Sequence, residues 1–192
     1  MKTNAFRPLI VVPVYNHAKP ASILVEKIQA FNVPCLLVDD GSEAACGIAL
    51  DILQDRFPET VQVLHLPENQ GKGGAVMAGF RQAAGQGYTH VLQIDADGQH
   101  VPADIPGFLK EAEQYPEQII CGCPIYDDSV PKARLYGRYA THVWVWINTL
   151  SFEIRDSMCG FRVYPLGRIM AVLDRYNIGK RMDFDIDIMV RA

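Results

Sequence analysis

Short apolar runs alternate with longer amphipathic stretches through the first hundred residues of the chain. The apolar runs are rich in Val, Ile and Leu, and they cover Leu9–Val14, Cys35–Val38, Val61–Leu66 and Val91–Ile94. Between them, helical spacing predicts helices over Ala21–Phe31, Ala44–Phe57 and Lys72–Gln86. Nearly continuous apolar strands that are separated by helices are typical of βαβ units. We therefore expect an α/β fold with a mostly parallel central sheet that is covered on both faces.

The second half of the chain continues this pattern less regularly. A helix is expected near Ala103–Tyr115 and a strand near Ile119–Cys123, and helical spacing with several aromatic residues extends over Lys132–Leu150. A short strand over Gly160–Tyr164 and a helix over Leu166–Tyr176 follow. The chain has no internal repeat, low-complexity tract or interdomain linker, so residues 1–192 are expected to form one domain.

Polar residues follow the predicted strands where each strand ends. Asn16 comes after the first strand, Asp39 and Asp40 after the second, and Asp95 and Asp97 after the fourth. In open parallel sheets the ligand crevice lies beyond the carboxyl ends of the strands. The sequence therefore predicts a ligand site at this edge of the sheet.

The segment Asp95–His100 reads Asp-Ala-Asp-Gly-Gln-His and carries the strongest candidate chemistry. Asp95 and Asp97 lie two residues apart, so an extended chain places both carboxylates on one side, where they repel unless a positive charge lies beside them. Mg²⁺ or Mn²⁺, with oxygen ligands shared between protein and substrate phosphates, would supply that charge. Gln99 and His100 could extend the ligand set. The alternative is an acidic turn without metal.

Two other loops at the same edge leave two interpretations open. Asp39 and Asp40 could accept hydrogen bonds from a ribose or a base, or Asp40 or Ser42 could cap the helix that follows. The glycine-rich segment 69–74 precedes a helix and permits close approach of an anion. It matches neither the dinucleotide fingerprint nor the P-loop pattern, so by itself it is a weak signal.

Composition and charge exclude several classes of protein. The chain carries 18 basic and 22 acidic residues without a basic stripe, which argues against a nucleic-acid partner. Five scattered cysteines do not form a disulfide framework or a zinc pattern, and we interpret them as reduced thiols in a cytoplasmic protein. No apolar stretch is long enough to span a bilayer, although peripheral contact with the inner face of a membrane stays open.

Four motifs in one order make the sequence resemble the family 2 glycosyltransferases, and within them the dolichyl-phosphate-mannose-synthase-like branch. The motifs begin at Pro13, Val38, Asn69 and Asp95, and the resemblance covers residues 8 to about 190. It implies a GT-A fold, a Rossmann-like nucleotide-diphospho-sugar transferase domain. Relatives usually continue for tens of residues beyond the position of Ala192, so the resemblance also implies a domain that is truncated at its C-terminus.

The resemblance assigns site residues in both halves of the chain. The residues that match the nucleotide- and phosphate-binding positions of the family are Pro13, Tyr15, Asn16, Asp39, Asp40, Lys72, Asp95, Arg134 and Arg138. Those that match its metal-binding cluster are Asp95, Asp97 and Gln99. Asp156 and Arg162 match the acceptor-side segment, so the expected catalytic residues are Asp156, Asp97 and Arg162. A solvated helix face is the alternative for Arg134 and Arg138, and the sequence does not decide which of Asp183, Asp185 and Asp187 faces the site.

The function that the resemblance implies is transfer of a sugar from a UDP- or GDP-linked donor to an acceptor that could be lipid-linked. The reaction would invert the anomeric carbon and use Mg²⁺ or Mn²⁺. His17 stands where Glu is frequent in the family, so a contact at that position is expected to differ. Two alternatives stay open: a non-catalytic domain that binds nucleotide sugars or lipids, and a sugar nucleotidyltransferase. A sugar nucleotidyltransferase usually has a glycine- and arginine-rich segment after the first strand, and this sequence lacks that segment.

Overall fold

The computed structural model describes residues 5–123, 159–181 and 183–192. The helix predicted over 132–150 lies outside these residues. The described strands, numbered in chain order, are β1 Pro8–Val14, β2 Cys35–Asp39, β3 Val61–His65, β4 His90–Gln93, β5 Ile120–Cys121 and β6 Arg162–Pro165. All of the strands predicted from apolar runs are present, with ends that differ by at most two residues.

The described strands form one sheet in the order β3-β2-β1-β4-β6-β5. The strands β1 to β4 run parallel to one another, while β6 is antiparallel to both β4 and β5. The sheet is therefore mostly parallel, as predicted. The strand predicted near 119–123 does not pair with β4, because β6 returns from later in the chain and lies between them.

The helices cover both faces of the sheet. They are α1 Ala18–Ile28, α2 Ala44–Arg56, α3 Lys72–Gly85, α4 Ile105–Gln114, α5 Leu166–Arg175 and α6 Phe184–Arg191, with short 3₁₀ helices at Gln29–Phe31 and Pro102–Asp104. The first helix begins three residues earlier than predicted. Pro20 lies in its first turn, where the backbone N–H has no helical partner to lose, so proline is tolerated there.

Alternation along β1 divides the buried side chains between two cores. Ile10, Val12 and Val14 pack with residues of α1, α2 and α4, whereas Leu9 and Val11 pack with residues of α3, α5 and α6. Each fully buried aliphatic side chain contributes about 1.5–3 kcal/mol to the free energy of unfolding. Burial on both faces of the sheet explains why β1 is continuously apolar in sequence.

The position of β1 fixes where a ligand crevice can form. This strand pairs with β2 on one side and with β4 on the other. The strands after β1 are therefore added first on one side of it and then on the other. Such a switch point leaves the loops beyond the carboxyl ends of β1 and β4 apart, which opens a crevice between them. Within the described ranges, no helix is both long enough and apolar enough to cross a bilayer.

Candidate active site

A cavity of about 420 Å³ opens at the carboxyl ends of the parallel strands. Six of the residues predicted for the donor site contribute to its walls: Pro13, Tyr15, Asp40, Lys72, Asp95 and Asp97. His17, Asn69 and Gly71 also line it. The structure therefore brings together the four loops after β1, β2, β3 and β4 and the start of α3, at the edge where the polar residues were expected.

The loop after β1 presents an aromatic ring to the cavity and is held by hydrogen bonds to the loop after β2. Asn16 has a left-handed φ of 55°, its backbone N–H donates to Ser42 Oγ at 2.9 Å, and its Oδ1 accepts from Glu43 N at 2.8 Å. These bonds join the loop after β1 to the loop after β2. Tyr15 stays 49% exposed, so its ring is available to stack on a flat ligand group.

Asp39 makes its hydrogen bonds within the fold. Its Oδ1 accepts from Ser42 N at 3.0 Å, and its Oδ2 lies 2.8 Å from Nδ1 of His65, whose Nε2 lies 2.9 Å from Asp51 Oδ1. Burial raises the pKa of Asp39, but the hydrogen bonds from Ser42 and His65 outweigh it and hold the pKa below 3.8. The two carboxylates raise the pKa of His65 above 6.5. This histidine was not anticipated from the sequence.

Asp40 holds the glycine-rich loop at the cavity. Its Oδ1 accepts from Gln70 N at 2.7 Å and its Oδ2 from Gly71 N at 2.9 Å. Burial raises its pKa even though these two bonds favour the charged form. The helix α2 has Glu43 at its N-cap position and no side-chain cap. The alternative that Asp40 or Ser42 caps this helix is therefore wrong.

Lys72 joins two carboxylates at the base of the cavity. Its Nζ donates to Asp95 Oδ2 at 2.7 Å and to Asp185 Oδ2 at 3.1 Å. Burial would lower the pKa of Lys72, but attraction to Asp95 and Asp185 outweighs it and the net shift is upward. Lys72 thus supplies one of the positive charges that the acidic cluster needs. The other oxygen of Asp95, Oδ1, is buried and has no hydrogen-bond partner among the described residues.

Asp97 is the accessible carboxylate of the cluster. It lies on the exposed loop after β4, and its Oδ1 accepts from Gln99 N at 2.9 Å. The described residues contain no group of three or more His, Cys, Asp or Glu side chains arranged to hold a metal ion. Asp95 and Asp97 fit a hard cation only if substrate oxygens complete its coordination, which is how Mg²⁺ is usually shared with phosphates.

Among the three aspartates near the end of the chain, Asp185 is the one that reaches the site. Its side chain is only 5% exposed and contacts Lys72. Asp183 Oδ1 instead accepts from Arg181 N, and Asp187 accepts from Gly179 N and Arg191 Nε. No periodicity in the sequence distinguishes them, since the choice depends on how α6 packs against α3.

Arg162, predicted as catalytic, lies under the site rather than in the cavity wall. It has no exposed surface, and its Nη1 donates to the carbonyl of Asp185 at 2.9 Å and to Tyr164 Oη at 3.3 Å. Its Nη1 also lies 3.6 Å from Asp185 Oδ1. Asp156, the other residue predicted for the acceptor side, lies outside the described residues, as do Arg134 and Arg138, which were predicted to bind phosphate.

Gly160 lies between Asp156 and Arg162 in the sequence, and the sequence gives no reason for a glycine at this position. A Cβ added at this position would overlap Oδ2 of Asp95 and would lie 2.8 Å from Nζ of Lys72. The glycine therefore lets the segment before β6 approach the Lys72–Asp95 ion pair. Only the tertiary contact reveals this requirement.

Several known proteins with similar sequences have names that describe glycosyl transfer to polyprenyl phosphates. Polyprenol monophosphomannose synthase of Mycolicibacterium smegmatis is 33% identical over 195 residues, which cover 97% of this chain and 72% of that enzyme. Dolichyl-phosphate beta-glucosyltransferase of Mus musculus is 29% identical over 205 residues, covering 95% of this chain and 62% of that enzyme. This chain thus spans less than two thirds of the mouse enzyme.

Solved glycosyltransferase-fold structures are similar to this chain in fold, at lower sequence identity. Glucosyl-3-phosphoglycerate synthase from Mycobacterium tuberculosis superposes with a TM-score of 0.71 at 15% identity, covering 96% of this chain and 64% of that one. The 1–349 fragment of TarS from S. aureus gives 0.63 at 16% identity, covering 97% and 55%. These likenesses confirm the GT-A fold. The family model described as "Glycosyl transferase family 2" matches residues 9–176, and the chain belongs to that family.

Proposed function

We propose that this chain is a metal-dependent, inverting glycosyltransferase domain. It moves a sugar from a UDP- or GDP-linked donor to the phosphate of a polyprenyl-type lipid. The observation that carries the proposal is the juxtaposition of Lys72, Asp95 and Asp97 at the base of a cavity whose walls include Tyr15 and Asp40. The three parts of such a donor each find a matching group: the nucleobase an aromatic ring, the ribose hydrogen-bonding groups, and the diphosphate a cluster of both charges.

The cavity has the size and composition that a nucleotide sugar requires. Its volume of about 420 Å³ falls within the range of about 300–1,000 Å³ that is usual for small-molecule sites. Tyr15 would stack on the base, and the loop that Asp40 holds would face the ribose. Lys72 would donate to a diphosphate oxygen, since this residue lines the cavity while its Nζ holds Asp95.

Mg²⁺ or Mn²⁺ would be held by Asp97 with Asp95 and Gln99 and would neutralise the charge that develops on the departing diphosphate. The protein's own contribution is positioning. Asp97 offers an accessible carboxylate, and the hydrogen bond from Gln99 N restricts the orientation of that carboxylate. Lys72 would add a second positive charge beside the diphosphate.

The acceptor is inferred from the names of the relatives, which act on dolichyl, polyprenol and undecaprenyl phosphates. An acceptor phosphate oxygen attacks the anomeric carbon as the bond from that carbon to the donor diphosphate breaks, and the nucleoside diphosphate leaves with the electron pair. Such an acceptor needs no general base. Asp156 would serve as the base only if the acceptor were a hydroxyl, and Arg134 with Arg138 would face phosphate.

A second cavity supports the idea that two substrates meet at this cluster. It measures about 300 Å³, lies beside α1, and shares Asp95 and Asp97 with the first. Ligands could therefore approach these carboxylates from two sides. The lipid acceptor further implies peripheral contact at the cytoplasmic face of a membrane. Co-sedimentation with vesicles that contain polyprenyl phosphate, compared with vesicles that lack it, would test that contact.

The test of the donor site is a thermal-shift screen of UDP- and GDP-sugars with and without MnCl₂, followed by a transfer assay with polyprenyl phosphate. A true donor raises the melting temperature in proportion to the logarithm of its concentration over its dissociation constant. Asp97→Asn should abolish the manganese-dependent part of the shift. The control Asp174→Asn, on the exposed side of α5, should retain it.

Three outcomes would change the proposal. Binding of nucleotide sugars without transfer, even with metal and acceptor present, would favour a non-catalytic binding domain. Turnover of a nucleoside triphosphate with a sugar phosphate would favour a nucleotidyltransferase. Manganese-dependent binding that is unchanged in Asp97→Asn would remove the assignment of the metal to this cluster.

A further inference from the structure

A cluster of four charges lies at and beneath the base of the donor cavity. Lys72 Nζ lies 2.7 Å from Asp95 Oδ2 and 3.1 Å from Asp185 Oδ2, and Arg162 Nη1 lies 3.6 Å from Asp185 Oδ1. Two cations and two carboxylates alternate along this chain of contacts. The charges balance, which is the usual condition for burying ionised groups.

The four residues divide into an outer and an inner pair. Lys72 and Asp95 line the donor cavity and have side chains that are each 21% exposed. Asp185 and Arg162 are buried behind them, with side chains 5% and 0% exposed. The inner pair therefore reaches ligands only through the outer pair. Asp185 is the link, because its carboxylate contacts both Lys72 and Arg162.

The packing of α6 against the start of α3 sets the distance between Asp185 and Lys72. Phe184 is fully buried, and a Cβ added at Gly73 would overlap its Cβ. The backbone N–H of Gly74 donates to Lys180 O at 3.0 Å, which joins the segment before α6 to the same turn of α3. The residues on either side of this ion pair are thus held by close backbone approach, so the pair has little freedom to adjust.

We propose that Asp185 is a positioning residue of the donor site, which shares the Lys72 ammonium with Asp95 and thereby preserves the negative charge that Asp95 and Asp97 present to a divalent cation. This inference rests on the function proposed above. Without the Asp185 carboxylate, Lys72 would be held by Asp95 alone and the site would gain one net positive charge. A divalent cation would then bind less tightly, while a metal-free nucleoside diphosphate would not be disfavoured.

The substitution Asp185→Asn removes the charge with almost no change in shape. The bond from Arg162 Nη1 to the main-chain carbonyl of residue 185 does not depend on the side chain, so part of the contact to Arg162 survives. The matched control is Asp187→Asn. It removes the same charge from the same helix, but Asp187 contacts Gly179 N and Arg191 rather than Lys72.

The measurement is calorimetric titration of UDP and of GDP into each variant, with and without MnCl₂. In Asp185→Asn, we expect the affinity gained on adding manganese to fall by about tenfold, because one charge close to the cation site is lost. The metal-free affinity should stay the same or increase. In Asp187→Asn, both affinities should stay within about twofold of the unsubstituted chain, since that charge lies outside the network.

A double-mutant cycle with Lys72→Gln tests whether Asp185 acts through Lys72. If it does, Asp185→Asn causes much less loss of manganese-dependent affinity in the Lys72→Gln background than alone. Equal losses in both backgrounds would overturn the proposal. Circular dichroism and the melting temperature establish that each variant is folded. If Asp185→Asn is not, Asp185→Ser removes the same charge in a smaller side chain, and an unchanged manganese response there would also overturn the proposal.

The two proposals fail in different ways. If the unsubstituted chain binds neither nucleoside diphosphate with manganese, the proposed function is wrong. If it binds one of them and Asp185→Asn behaves in the same way as Asp187→Asn, the function stands and the role of Asp185 is wrong.

Discussion

Gly160 and Asp95 approach each other so closely that no side chain at residue 160 could be accommodated without movement. An added Cβ would overlap Oδ2 of Asp95, the oxygen that accepts from Lys72, and would also crowd the ammonium at 2.8 Å. The contact joins the segment before β6 to the loop after β4. The orientation of the Asp95 carboxylate therefore depends on a residue 65 positions away in the chain.

Gly160→Ala is expected to push Asp95 out of its position and to separate it from Lys72. Overpacking of this kind costs about 1–3 kcal/mol, which corresponds to a loss of about 5-fold to about 150-fold in affinity if it falls on donor binding. Calorimetric titration of the donor nucleotide with manganese measures the loss. Gly167→Ala in α5 is the control, because its Cβ would meet nothing within 4 Å. Equal donor affinity in the two variants would contradict the packing argument.

Asp40→Asn is expected to destabilise the glycine-rich loop. The carboxylate accepts from Gln70 N and Gly71 N, whereas an amide can accept at only one of these positions and places an N–H against the other. Leaving one buried donor unpaired costs about 1–3 kcal/mol. Urea unfolding measures the change, with the exposed Asp55→Asn as a control that should shift stability by less than about 0.5 kcal/mol. A result for Asp40→Asn within the control range would exclude this role.

The contact between His65 and Asp39 should make stability depend on pH. The raised pKa of His65 means that its contribution is full below about pH 6.5 and is lost as pH rises through the higher folded-state value. The lowered pKa of Asp39 means that its contribution is present above about pH 3.8 and is lost in more acidic solution. The pair therefore stabilises the fold most between these limits.

His65→Gln should accordingly cost more stability at pH 5.5 than at pH 8.5. The imidazole is 43% exposed, so solvent screening limits the difference to about 1 kcal/mol or less. Urea unfolding of both proteins at the two pH values measures it. Asp51→Asn removes the more exposed of the two carboxylates and should reduce the difference. A cost that is the same at both pH values would show that the imidazolium contributes nothing.

Arg162→Gln is expected to lower the free energy of unfolding by about 3 kcal/mol or more, because it leaves the buried Asp185 with one fewer positive partner. Chemical denaturation measures the loss, and the exposed Arg81→Gln provides the comparison. Since Arg162 has no exposed surface, we expect the activity that remains in folded protein to keep an unchanged Michaelis constant for the acceptor. A large rise in that constant without loss of stability would instead support direct contact with substrate.

Local sequence patterns were sufficient for the elements and for the edge of the sheet that carries the site. The apolar runs at 9–14, 35–38, 61–66 and 91–94 all became strands, and β1, β2 and β4 are nearly continuously apolar because they are buried on both faces. The loops after β1, β2 and β4 met at one cavity because parallel strands end at the same edge. The order of the strands was less accessible, since the insertion of β6 between β4 and β5 leaves no local signal.

The sequence was enough to predict which residue types gather at this edge of the sheet, since Asp40, Lys72, Asp95 and Asp97 follow from motif positions beside predicted strands and helices. The contacts that those residues make became visible only in the folded chain. The tertiary structure assigned Lys72 to both Asp95 and Asp185, Arg162 to a buried supporting position, and Gly160 to the space beside Asp95. The reason is physical: periodicity depends on neighbours along one element, whereas charge balance and close approach depend on which elements the folded chain brings into contact.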